Sequence, residues 1–268
     1  MTTSNVQRRT GEQKCDRRLL QMIPAELDRR GKERVKPWEI TKIFPGVGVV
    51  KVEASAIEEI RLDDVLTLIG ATGVVQDAIS KGTATISEMK EAGGKTLSIV
   101  SAVLPSSVFC RQSAGDHDVQ AFVLSLERLQ SYRCKYTTAD GSCGSASYLY
   151  EYKYDAPSGE ISVIMKKSVL DYFSRVGWIV DIAAIRKKLK SSASKALALY
   201  LSQQPGDRFN VDTLISRVNL KCTEHKENRR MLRAALDELC TNDFIVAYKM
   251  DKDFVNIHRK SQQESIND

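Results

Sequence analysis

Between residues 209 and 259 the spacing of apolar side chains changes period, and that change limits the fold more than any other stretch of the chain. Over residues 223–240, Leu232, Ala235, Leu236 and Leu239 recur at the i, i+3, i+4, i+7 spacing of a helix with one face to bury. Thr223 is a candidate N-cap, and Glu224 and Glu227 fall in the first turn, where the positive end of the helix dipole favours carboxylates. Lys226, Arg230, Arg233 and Asp237 lie on the side opposite the stripe, so a basic face points outward. Upstream, Asn210 can cap a shorter helix over residues 211–218, and residues 219–222 make the turn that joins the two. Downstream, Phe244, Val246, Tyr248 and Met250 alternate as a half-buried strand does, residues 251–253 turn the chain, and residues 254–258 return.

Short helix, turn, basic helix and hairpin form the order of a winged helix-turn-helix. An amphipathic helix with a charged outer face is, by itself, most simply a solvated surface. The succession changes the reading, because a major groove admits one helix and the flanking elements must hold it there. Candidate DNA-binding residues here are Lys226, Asn228, Arg229, Arg230 and Arg233 on the second helix, with Lys249 and Lys252 on the hairpin.

A similar order occurs earlier. Asp63 is a candidate cap for a helix to about residue 78, with Leu62, Val65, Leu66 and Ile69 on one face. Two β-rich pieces around residues 83–86 and 96–103 predict a hairpin across Gly93 and Gly94. Pro105 then opens a short helix to about residue 112, and Asp116 is placed to cap a longer one to about residue 132, with Val119, Phe122, Leu126 and Leu129 as its stripe. Strands over residues 148–155 and 160–166 follow, with Tyr148, Tyr150, Tyr152 and Tyr154 on one face. Aligned tyrosines can stack on bases, but such a row more often covers a core. The expected fold is α+β: two tandem winged helix-turn-helix domains, over residues 38–178 and 179–260, with a polar tail over residues 261–268. On the second helix of the first domain, His117, Gln120 and Arg128 are the candidate DNA contacts, a less basic set than that of the second domain.

The net charge of +6 suits a polyanionic partner, and most of it sits in residues 1–37, where ten Lys or Arg face five Asp or Glu. Large apolar residues are scarce there before Leu19, and Pro24 interrupts any helix, so this segment reads as a flexible basic arm. Arg8, Arg9, Arg17 and Arg18 are its candidate phosphate contacts, and a solubilising tail is an equal reading.

Other classes of function lack their residues. Gly93, Gly94, Lys95 and Thr96 imitate the end of a phosphate-binding loop, but Met89 stands where the motif needs its first glycine, and the residues that follow read as strand instead of helix. Six cysteines lie without a CxxC pair, and three histidines, at 117, 225 and 258, are far apart. Neither a metal site nor a cofactor is expected, nor a disulfide, although Cys134 and Cys143 flank a loop. No nucleophile motif appears, so the chain is expected not to be an enzyme. No run approaches the ~18 apolar residues of a membrane span, and the first residues hold no apolar signal core; the expectation is a cytoplasmic protein without membrane partners.

Residues 62–259 resemble a known family, the plasmid replication initiators that bind repeated origin sequences (iterons) through two winged-helix domains, among them the iteron-binding initiators of IncQ-type plasmids. The stretches that carry the resemblance are YLYEYKYDAPSGEISVIMKKSVL, IVDIAAIRKKLKSSASKALALYLSQQPGDRFNVDTLISRV and NRRMLRAALDELCTNDFIVAYKM. The resemblance implies binding to direct repeats in double-stranded DNA, opening of adjacent A·T-rich DNA and recruitment of a replicative helicase. It further implies monomer/dimer exchange through the first domain and sequence reading mostly by the second. A winged-helix transcriptional regulator, or autorepressor, is the rival from another class, and a protein-interaction module that touches no DNA is a third.

Overall fold

The computed structural model describes residues 12–15, 39–44, 48–53, 61–90, 94, 96–113, 118–132, 134–137, 143–174, 178–218, 220 and 222–259. The fold is mixed α+β, built from helices and small antiparallel sheets. In the N-terminal segment, β1 (Glu12–Cys15) pairs antiparallel with a later strand, while β2 (Glu39–Phe44) and β3 (Gly48–Glu53) form a hairpin. The first helix, α1 (Leu62–Ser80), starts one residue before the expected cap: Arg61 is its N-cap, and the Asp64 carboxylate accepts from Arg61 N at 2.8 Å. The helix is buried on nearly every side rather than on one face, since Thr67, Gly70, Ala71, Thr72 and Gly73 let neighbours close around it.

Next come β4 (Thr85–Lys90) and β5 (Thr96–Pro105), paired as the expected hairpin. Gly94 in the connection has φ of 77°, a conformation open to glycine at little cost. Thr96, the last residue of GGKT, opens a strand and not a helix. The helices α2 (Ser106–Ser113) and α3 (Val119–Ser131) follow, and the longer is capped by Asp118, whose side chain accepts from Ala121 N, in place of the expected Asp116. Phe122, Leu126 and Leu129 are buried as expected.

β6 (Cys134–Thr137) and β7 (Cys143–Ala146) extend the β2–β3 hairpin to a four-stranded sheet. Their register sets Cys134 opposite Ala146 and Cys143 opposite Thr137. β8 (Glu151–Asp155) and β9 (Glu160–Lys166) complete a second sheet in the order β4-β5-β9-β8. Tyr148 is buried and stacks on Tyr132 with ring centres 5.6 Å apart, and Tyr152 and Tyr154 lie against the core, so this tyrosine row covers apolar surface.

α4 (Lys167–Ser174), β10 (Trp178–Asp181) and α5 (Ile182–Lys188) lead into the second half. β10 is the partner of β1, with Glu12 opposite Asp181 and Cys15 opposite Trp178. At residues 12–15 the arm is therefore a paired strand, contrary to the flexible segment expected: an unpaired strand edge offers N–H and C=O groups that a passing segment can satisfy. From α5, Arg186 reaches back to α1, donating from Nη2 to Asp63 O and to Thr67 Oγ1.

The second half runs α6 (Ser192–Leu201), β11 (Arg208–Asn210), α7 (Val211–Arg217), α8 (His225–Thr241), β12 (Ala247–Met250) and β13 (Phe254–His258). Ser191 caps α6 through Ser194 N, and Asn210 caps α7 through Thr213 N. Glu224 is the N-cap of α8, without a side-chain cap bond, where Thr223 was expected. At its other end Asp243 takes φ of 63°, which lets Phe244 N fold back to Leu239 O. The sheet order is β11-β13-β12. Drop β4 from the first sheet, and β5-β9-β8 has the same order: a strand before the helix pair, then the last strand, then the one between. With the β6–β7 pair, which belongs to the other sheet, also set aside, both halves run helix, strand, helix, helix, strand, strand, which is compatible with winged-helix folding. Among the described residues, the buried apolar side chains of both halves form one connected core.

Candidate nucleic-acid interface

α8 is held from beneath, and its outer face follows from that. Leu232, Ala235, Leu236 and Leu239 are buried against α6, α7 and β12. Near the C-terminal end, the Glu238 carboxylate accepts from Lys190 N, Ser191 N and Ser194 Oγ, which ties α8 to the start of α6. Burial acts to raise the Glu238 pKa, but these hydrogen bonds outweigh it and hold the carboxyl below its ordinary value. At the N-terminal end Asn228 is buried; its Oδ1 accepts from Cys222 N at 2.9 Å and its Nδ2 donates to Cys222 O at 3.0 Å. An amide carries an acceptor and a donor side by side, so Asn228 takes both backbone groups of Cys222 and ties that residue to the first turn of α8. Beside it, His225 Nε2 lies 2.7 Å from Asp212 Oδ1 and links the starts of the two helices.

The hairpin is braced as well. Arg229 donates to Asp251 O and Lys252 O at the tip, and Asp251 Oδ1 accepts from Asp253 N and Phe254 N. Tyr248 OH donates to Asp237 Oδ1 at 2.6 Å, joining β12 to the outer side of α8. Burial first, and the hydrogen bond to the Asp237 carboxylate second, push the Tyr248 pKa up to about 12. Arg208 on β11 lies over the Phe254 ring at 4.0 Å.

What remains outward is a short row of cations on a rigid support. Lys226, Arg230 and Arg233 are exposed on α8, and Lys249 and Lys252 are exposed on the hairpin beside it. Arg230 is paired: Nε donates to Glu227 Oε2 at 2.8 Å and Nη2 to Oε1 at 2.6 Å. The support matters physically, because a helix can enter a groove only if the elements behind it fix its angle.

Set against expectation, the seven candidates of the second half come together, with their roles divided. Lys226, Arg230, Arg233, Lys249 and Lys252 face outward, whereas the polar groups of Asn228 are spent inside the chain and Arg229 is used to hold the hairpin tip. Reading by residue took Glu227 only as a first-turn acid, and it missed the roles of Glu238, the Tyr248–Asp237 bond and Arg208. The first two had a signal in the sequence, a carboxylate three residues before an arginine and one in the last turn of a helix, but a partner cannot be named without the fold.

In the first half the outcome differs. Gln120 is exposed on α3, together with Leu124 and Glu127, but Arg128 is turned inward, its side chain 13% exposed. Its guanidinium binds the wholly buried Asp64 through Nε at 2.9 Å and Nη2 at 2.7 Å, and Ser125 Oγ donates to the same carboxylate. A DNA contact was expected; a buried carboxylate requires a counter-charge, and Arg128 provides it. His117, Arg8, Arg9, Arg17 and Arg18 lie outside the described residues.

Among the described residues, no group of three or more His, Cys, Asp or Glu side chains is placed to hold a metal ion, and no helix is long and apolar enough to cross a membrane. No family model matches the chain, and no curated protein matches it. The chain is similar in structure to domains 2 and 3 of RctB, known from a crystal structure of their selenomethionine form, with a TM-score of 0.58 and 12% sequence identity; 92% of this chain and 99% of that one are covered. At that identity the likeness is one of fold, and it extends over both halves.

Proposed function

We propose that this chain is a sequence-specific double-stranded DNA-binding protein acting as a replication initiator: it binds direct repeats (iterons) at an origin through two tandem winged-helix domains, helps open adjacent A·T-rich DNA, and recruits a replicative helicase. In this reading the chain binds and positions without catalysing a reaction of its own, and it works in the cytoplasm. The observation that carries the proposal is the braced helix α8, whose outward Lys226, Arg230 and Arg233 stand beside Lys249 and Lys252 of the hairpin. A fold shared with the RctB domain pair over 92% of the chain supports it, as does the resemblance in residues to iteron-binding initiators.

The test is selection of duplexes from a randomised pool by the full chain, followed by footprinting of the selected sequence. Two modules on one chain that read successive major-groove faces lie ~10 base pairs apart, so the protected site should be unsymmetrical and span about 17 to 22 base pairs. Protection of about 8 base pairs, a strict palindrome, or no selected sequence overturns the proposal.

A further inference from the structure

Cations alone give affinity; discrimination needs a donor held at a fixed angle to a base edge. Of the outward cations on α8, Arg230 has such a hold. Glu227, three residues before it in the first turn, takes two parallel hydrogen bonds from one edge of the guanidinium, the edge formed by Nε and Nη2. The side chain of Arg230 is 72% exposed and that of Glu227 39%, so the pair stands above the surface of the helix and is not part of the core.

We infer that Glu227 is a positioning residue that fixes Arg230 as the reader of a guanine. This rests on the proposed DNA-binding function. A guanidinium has five N–H donors, and the two directed at Glu227 leave three. One on Nη2 and one on Nη1 point away from the carboxylate as a parallel pair. Guanine shows O6 and N7 on its major-groove edge, two acceptors spaced to take such a pair, and no other base offers two acceptors there. The place on the helix fits too, because the N-terminal residues of a recognition helix contact base edges, and Glu227 and Arg230 lie in the first two turns of α8. Lys226 could reach the same two acceptors only with a flexible ammonium, not with a planar fork held at one angle.

The carboxylate has a second effect. Arg230 without a partner could swing to the nearest phosphate, which carries no sequence information; Glu227 holds it at one angle and repels phosphate from the same spot. The hydrogen bonds from Arg230 keep the Glu227 carboxyl below its ordinary pKa, so the pair persists at neutral pH.

The experiment compares the full-length wild type with Glu227→Gln, Arg230→Lys and Arg230→Ala, selecting each against the same randomised duplex pool and measuring its affinity for unselected DNA. Wild type should select a site with a guanine whose preference falls by roughly 5- to 150-fold in both Arg230 variants, the range for a bidentate base contact. Glu227→Gln should weaken the preference at that same guanine by roughly 2- to 12-fold, the worth of one hydrogen bond, without lowering affinity for unselected DNA. Three results cut the other way. If the guanine preference is lost in Arg230→Ala but intact in Glu227→Gln, the positioning role is wrong and the DNA-binding reading stands. If Glu227→Gln raises affinity for selected and unselected DNA equally, the pair is a brake on binding and the inference fails. If Arg230→Ala and Arg230→Lys both keep every preference, α8 does not read through Arg230, and the inference fails together with the proposed use of this helix.

Discussion

Arg128→Ala should reduce stability and leave base preference unchanged. The Arg128 guanidinium makes two charge-assisted bonds to Asp64, whose side chain is completely buried, while Ser125 Oγ and Arg61 N supply neutral donors to the same carboxylate. Truncation to alanine leaves the carboxylate in the core with the neutral donors and without its ion-pair partner. Removing one partner of a buried ion pair typically costs about 3 to 5 kcal/mol. The remaining donors and the small opening to solvent beside Arg128 place this case near the lower end, about 3 kcal/mol. At ~2 to 4 °C per kcal/mol for chains of this size, thermal unfolding should move down by about 6 to 12 °C. Adding Asp64→Asn should recover part of the loss, since the amide carries no charge to strand, so the double variant should cost less than the sum of the singles. The assay is thermal unfolding of the four proteins, with selection of DNA by each folded variant below its transition. An unfolding temperature within about 2 °C of wild type, together with a weakened or altered DNA site, would show that Arg128 faces DNA and refute the buried pair.

Asn228→Ala should cost about 1 to 3 kcal/mol in denaturant unfolding, because it leaves Cys222 N and O without their partner in a half-buried turn; unchanged stability with a changed base preference would instead make Asn228 a base contact. Tyr248, with a pKa pushed up to about 12 from an ordinary value near 10, binds its proton more tightly when folded. Its contribution to stability is therefore complete below pH 10 and lost as pH rises from there towards 12. Spectrophotometric titration should show tyrosine ionisation extending into that upper range, and Tyr248→Phe should remove one residue's share of that amplitude; an identical curve for the variant refutes the bond to Asp237.

Much of the second half was legible because its signals are local. Asn210 caps the helix it precedes, the leucine stripe of α8 is buried, and the turn at Asp251 returns the chain where alternation stops. Elements whose partners are distant were not. β11 is three residues long, and only the register with β13 makes it a strand. The pairing of residues 12–15 joins segments some 165 positions apart, beyond the reach of any periodicity. α1 looked one-faced because Thr67, Gly70 and Thr72 read as polar or neutral positions; inside the protein they are the small residues that let other elements pack closely. Expected caps were displaced by one or two residues where another acid stood nearby, as with Asp116 and Asp118.

Arg128 and Arg233 show where reading by residue ends. Projected at ~100° per residue, Arg128 lies about 110° from the centre of the buried stripe of α3, and Arg233 about 115° from that of α8. By helical position they are equivalent, and both sequences invite the same reading. Their environments separate them: α1 brings the buried Asp64 within 2.7 Å of Arg128, whereas Arg233 is exposed and the nearby Asp237 is already engaged by Tyr248. Arg230 differs from both at about 175°, directly opposite the buried stripe and so away from the described elements packed behind the helix. Glu227 is the partner from its own helix, and it occupies only one edge of the guanidinium. The same residue type therefore does opposite work in the two halves: on α3 its charge is consumed to bury a carboxylate and lock the helix to α1, and on α8 it is left available to a polyanion. That division follows from one acid at position 64, which no pattern within residues 118–132 could have disclosed.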